Sequence, residues 1–150
     1  MEKAMSKIIV VPVDGSDQSK KALDFSVDLA LHYPAELKLV YVTEPIVVED
    51  IFSMSTIAVP VDMDDLSLEK YGKDVLAKAE NIARDLGVTD LSTKVLRGDP
   101  AKAIVAFAEK SEADMIVIGS RGLGNLSGIF LGSVSKKVAQ EAHCTCITVK

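Results

Sequence analysis

Absences narrow this chain before any motif does. It has no cluster of lysine and arginine, its formal net charge is -5, and its pI is about 5.0. An acidic chain without a basic tract is a poor binder of nucleic acid, which relies on neutralising phosphates. It also lacks the basic patch of a peripheral membrane anchor. No uninterrupted apolar run approaches the ~20 residues that cross a bilayer. The first apolar stretch, Ile8 to Val13, stops at Asp14 without a cleavage-like site. It therefore reads as a buried strand and not as a signal peptide, which makes the cytoplasm the expected location. Cysteine is scarce: Cys144 and Cys146 are two apart in an expected strand, too far for easy bridging, and are expected to be reduced. With His143 they offer three soft ligands but no fourth, so no metal site is expected there. Internal repeats and low-complexity segments are absent.

What remains is an ordinary globular composition, with 48% hydrophobic and 26% charged residues in 150. That length suits one domain, residues 1–150, around one core. Ile8 to Val13 is apolar on both faces, as a central parallel strand is. Ser16 or Asp17 can cap a following helix whose apolar stripe is Ala22, Phe25, Leu29 and Ala30. Leu37 to Val42 reads as a second strand. The segment 43–66 has no clean period and contains Pro45 and Pro60, so it is expected to be a long flexible loop. Leu68 to Leu86 has helical spacing, with Val75, Leu76, Ala79, Ile82, Ala83 and Leu86 on one side and Gly87 as its stop. Leu91 to Leu96 is a third strand. Asp99 and Pro100 then open a helix as cap and first residue, with Ile104, Val105, Phe107 and Ala108 inward. Met115 to Ile118 is a fourth strand, Ser133 to Ala142 a last helix, and Thr145 to Val149 a last strand. Strands alternating with helices predict an α/β fold: an open five-stranded parallel sheet, order 3-2-1-4-5, with helices on both faces, Rossmann-like.

Five of the nine glycines fall between Gly119 and Gly132, after the fourth strand and before the last helix. Glycines there let backbone N–H groups approach a ligand, and a helix start at Ser133 adds free donors and a positive dipole end. Phosphate is the natural guest. Lys136 and Lys137 early in that helix and Arg121 in the loop add positive charge, although solvated lysines and a merely connecting loop are the plain alternatives. Neither G-x-G-x-x-G nor G-x-x-x-x-G-K-[ST] is present. In an open sheet of this order, ligand binds where strands 1 and 4 diverge, and Asp14-Gly15 and Gly119 meet there.

The spacing Gly119-x2-Gly122-x9-Gly132-Ser133 resembles the ATP-binding signature of universal stress proteins. Val13-Asp14-Gly15-Ser16, Tyr41-Val42, Gly98-Asp99-Pro100 and Ala113 through Gly122 agree with it, so the resemblance covers nearly the whole chain and is weakest from Pro45 to Leu66. It implies that Asp14, behind Pro12 and Val13, lies near the adenine and ribose, and that Val42 contacts the adenine partly through backbone groups. It further implies that Gly119, Gly122 and Gly132, with Ile118 and Arg121 beside them, surround the ribose and phosphates. Ser133 would donate its hydroxyl and N–H to a phosphate, and Val134 its N–H. As plain alternatives, Asp14 is a turn residue and Ser133 an N-cap. Two positions depart from the family pattern. Tyr41 stands where His is common, and Thr145 stands where many members have proline.

The function so implied is a regulatory, stress-response protein that binds ATP or AMP, with Mg²⁺ or Mn²⁺ bridging phosphates. Family resemblance also implies a homodimer through the edge strand Thr145 to Val149, whose Ile147 and Val149 need cover, and a regulatory protein partner of unknown kind. No Ser/His/Asp or Cys/His arrangement can be assembled, so no catalytic residue is expected, while slow ATP hydrolysis stays open. Two rivals remain: an ATP-using enzyme on the same fold, and an interaction module that has lost nucleotide binding.

Overall fold

The computed structural model describes residues 6–44, 65–121 and 131–150. Its elements are β1 (Lys7–Pro12), α1 (Asp17–His32), β2 (Ala35–Thr43), α2 (Asp65–Asp85), β3 (Leu91–Arg97), α3 (Pro100–Lys110), β4 (Met115–Gly119), α4 (Ser133–Glu141) and β5 (Thr145–Val149). All strand pairings are parallel and the order is β3-β2-β1-β4-β5, as expected.

The faces follow from strand alternation. Ile9, Val11, Leu37, Leu39 and Val117 point to one face, where Ala22, Leu23 and Val27 of α1 and Leu76, Ala79 and Ala83 of α2 cover them. Val10, Val40, Ile116 and Ile118 point to the other, under Ile104 and Ala108 of α3 and Val138 of α4. Strands buried on both sides need continuous apolar runs, which is why β1 and β4 contain little else.

Local chemistry places the helix ends. Ser16 Oγ accepts the Ser19 N–H at 3.1 Å and caps α1, and Asp99 accepts the Lys102 N–H at 3.0 Å and caps α3 ahead of Pro100. Gly87 stops α2 with φ +109°, a conformation that side chains resist. Some apolar residues do not lie where their spacing suggested. Phe25, Ile82 and Leu86 are exposed at 40%, 39% and 52%, while Leu23 and Val27 hold the buried face of α1. The expected loop 43–66 is also shorter at both ends. Thr43 belongs to β2, where it pairs with Arg97, and Asp65 and Leu66 belong to α2. Glu44 lies outside both elements, and 45–64 lie outside the described residues.

Candidate functional site

The site end of the sheet is shaped by where β1 lets go of its neighbours. β1 pairs with β2 over six residues, from Lys7–Ala35 to Pro12–Val40, and Val13 N–H extends this to the Val40 carbonyl at 2.9 Å. With β4 it pairs only at Ile9–Met115 and Val10–Ile116. In a parallel strand successive residues present their backbone groups to alternate neighbours. Val13 donates to β2 and the Ile8 carbonyl accepts from Asp114 on the β4 side, so position 12 also faces β4. Pro12 has no N–H to offer there. The β1–β4 ladder ends at the point where the strand order reverses, which in open α/β sheets is where the ligand crevice lies.

On the β1 side of the crevice, Asp14 is half-buried and its Oδ1 accepts the Ser16 N–H at 2.8 Å. This is the turn-residue role, realised with Gly15 at φ +84°. Its second carboxylate oxygen makes no hydrogen bond among the described residues. Val42, at the end of β2, is half-buried on the α3 face. Beside it, the Gly98 N–H donates to the Thr43 carbonyl at 2.9 Å, and Gly98 takes φ +126°.

On the β4 side, Ile118 and Gly119 are buried. A Cβ on Gly119 would lie 2.7 Å from the Gln18 carbonyl carbon. Glycine is therefore required here so that the first turn of α1 can rest on β4, whatever a ligand needs. Sequence reasoning missed Ser120 and Ser135, which close the next step. Ser120 N–H donates to the Val149 carbonyl at 2.7 Å, and the Ser120 carbonyl accepts both the Gly132 N–H at 2.7 Å and Ser135 Oγ–H at 2.8 Å. The chain thus leaves at Ser120 and is tied back to the same carbonyl at Gly132. A Cβ on Gly132 would be 3.3 Å from that oxygen and 3.4 Å from Arg121 Cα. Ser135 is two residues beyond Ser133, and its only sequence signal is a hydroxyl at the third helical position. Gly122 lies outside the described residues, as do Gly124 and Gly128.

The tie holds the start of α4 beside the end of β4. Ser133 is exposed and Val134 packs against the α3-side core. Helix geometry leaves the first amides without intrahelical partners. Here Gly132 sits at the cap, no side chain caps the helix, and its first turn has no acidic residue. The plain alternative for Ser133, a side-chain N-cap, is therefore not met, because Gly132 holds that position. Lys136 and Lys137 are both exposed. Such an end attracts anions. On the α1/α2 face of the sheet, burial pushes the Tyr41 phenol pKa up, with Tyr71 and the Asp14 carboxylate adding to it. Among the described residues, no group of three or more His, Cys, Asp or Glu could hold a metal ion. Cys144 and Cys146 are free, with thiol pKa values raised mainly by burial.

A five-stranded parallel sheet of this order, with helices on both faces, defines an α/β protein of the Rossmann-like class. The chain belongs to the universal stress protein family, whose model matches residues 5–150. It is 36% identical over 146 residues to universal stress protein MJ0531 of Methanocaldococcus jannaschii, covering 96% of this chain and 82% of that one. The solved structure of the hypothetical protein MJ0577 superposes with a TM-score of 0.75 at 26% identity, covering 98% of this chain and 97% of that one. A universal stress protein solved in complex with cAMP superposes with a TM-score of 0.71 at 28% identity, covering 96% and 97%. No described helix is long and apolar enough to cross a membrane.

Proposed function

We propose that this chain binds an adenine nucleotide, AMP or ATP, in the β1–β4 crevice and serves as a regulatory, stress-response binding protein in the cytoplasm. The observation that carries this reading is the uncapped start of α4, with no acidic residue in its first turn, tied by Ser120 and Ser135 beside the gap that Pro12 opens. Support comes from the related protein solved with cAMP. In this reading the amides of Ser133 and Val134 and the Ser133 hydroxyl meet the phosphates, with Arg121, Gly122 and Gly132 around them. Pro12, Val13, Ile118 and Gly119 form the floor. Asp14 and the Val42 backbone face the ribose and base, where the carboxylate stands away from the phosphates it would repel. A Mg²⁺ or Mn²⁺ ion would arrive with a polyphosphate, since that donor set suits such ions better than the few carboxylates here.

The same reading makes the protein a homodimer through β5. That strand lies at a sheet edge and carries no charge, and Ile147 and Val149 are only partly buried. The opposite edge, β3, instead exposes Ser92, Thr93 and Lys94, the polar blunting of an edge that stays unpaired. A thermal-shift titration with AMP, ATP and GTP tests the nucleotide reading. A ligand at 100 times its Kd adds about 2.7 kcal/mol, or roughly 5–10 °C in a domain of this size. AMP or ATP should raise the Tm and GTP should not. A Tm unmoved by any nucleotide at millimolar concentration defeats the reading, and a monomer by sedimentation defeats the dimer.

A further inference from the structure

We propose that Tyr71, held edge-on to Tyr41, is a wall of the nucleotide site against which the purine ring packs. This rests on the nucleotide reading and adds to it a residue from a helix that the glycine signature does not touch. Tyr41 precedes Val42 on β2, and its ring meets that of Tyr71 at 5.9 Å between centroids and 69° between planes. The next residue of α2 is Gly72, where a Cβ would stand 2.6 Å from Tyr41 Cδ1, so only glycine lets the helix backbone settle on that ring. One turn past Tyr71, Val75 reaches Gly15, to within 3.9 Å of where a Cβ would be. α2 is thereby pressed onto the ends of β2 and of β1 together, the two strand ends that flank Asp14.

Tyr71 lies in the second turn of α2 and is 47% exposed. The acid–base behaviour of Tyr41 agrees with the placement, since both Tyr71 and the Asp14 carboxylate push its pKa up. A half-exposed ring packed on Tyr41, which in turn feels the Asp14 carboxylate, suits a flat solute with an apolar face and a hydrogen-bonding rim. A purine has that chemistry. Stacking is indifferent to the identity of the base, so Tyr71 supplies affinity while the contacts at Asp14 and Val42 choose adenine.

The chain has no tryptophan and three tyrosines, Tyr33, Tyr41 and Tyr71. Tyr33 caps the far end of α1, so in a Tyr33→Phe background the intrinsic fluorescence comes from the pair. The experiment titrates that protein with AMP and with ribose 5-phosphate, then repeats both with Tyr71→Leu and Tyr71→Phe added. AMP should change the tyrosine emission, Tyr71→Leu should weaken AMP at least ~5-fold, and Tyr71→Phe should restore affinity. Ribose 5-phosphate should bind every variant alike. If AMP binds the Tyr71→Leu protein as tightly as its parent, the wall is wrong and the nucleotide reading stands. If the parent protein binds no AMP, both fall.

Discussion

The two ends of the sheet each carry an aspartate next to a turn, and the two residues do opposite work. At the N-terminal end, Asp114 is consumed by the fold. One carboxylate oxygen accepts the Ile8 N–H at 2.8 Å and the other accepts from Lys7 Nζ at 3.3 Å, while Asp114 N–H returns a bond to the Ile8 carbonyl. At the C-terminal end, Asp14 spends one oxygen on a local turn, and its other oxygen makes no hydrogen bond among the described residues. The same contrast runs through the backbone. β1 is stitched to β4 at its start and released from it after Val10. One end of the sheet is closed by its own groups, and at the other the Asp14 turn and the uncapped start of α4 stand beside the strand ends.

The contrast can be broken most forcefully at Gly119, which holds the open end together. Gly119→Val drives a side chain into the Gln18 backbone and should cost about 3 kcal/mol in urea denaturation, because overpacking against main chain cannot relax cheaply. Next come the two aspartates. Asp114→Ala strands the Ile8 N–H and releases an exposed lysine, and should cost about 1–2 kcal/mol with no change in AMP affinity. Asp14→Asn can still accept from Ser16, so its stability should move by less than about 0.5 kcal/mol, while AMP binding weakens. Equal effects of the two substitutions on both readouts would erase the distinction. Ser135→Ala removes one of the two bonds into the Ser120 carbonyl and should cost about 1 kcal/mol. Its AMP affinity should fall as well, since the start of α4 loses part of its tie.

The smallest effect is a pH dependence at the closed end. The Ile8 N–H, ahead of Lys7, holds the Asp114 carboxyl below its ordinary value of 3.8. A depressed folded pKa contributes stability that is present above 3.8 and is lost as pH falls through the folded value. The stability gap between the parent protein and Asp114→Asn should therefore narrow below pH 3.8 and stay constant above pH 6.

The parts of the fold that were legible in the sequence are those set by local chemistry. β1 and β4 show their burial in uninterrupted apolar runs, Asp99-Pro100 marks the start of α3, and Gly87 the end of α2. The strand order was legible because alternating strands and helices leave few topologies open. The rotation of each helix was less so. Phe25, Ile82 and Leu86 repeat at helical spacing yet stand at the margins of their stripes, and a period alone does not say which edge of a stripe meets the sheet. Of the residues named for the proposed site, Asp14, Gly119 and Gly132 have clear local signals, and the structure sets them at the ends of β1 and β4 and the start of α4. The arrangement was not legible where distant groups meet: Gly119 on Gln18, Ser135 on Ser120, and Tyr71 on Tyr41 have no local trace. One signal was available. Gly72 sits inside a helix, where glycine costs about 1 kcal/mol relative to alanine, and it marks a close approach.

The most direct test of the account is a map of backbone amide shifts on adding AMP to the isotope-labelled protein. The account predicts that the largest changes fall on Val13, Asp14, Val42, Ser120, Ser133 and Val134, with Lys7, Ile8 and Asp114 unmoved. Saturable binding with its largest changes at the Asp114 end, or no change at millimolar AMP, would contradict it.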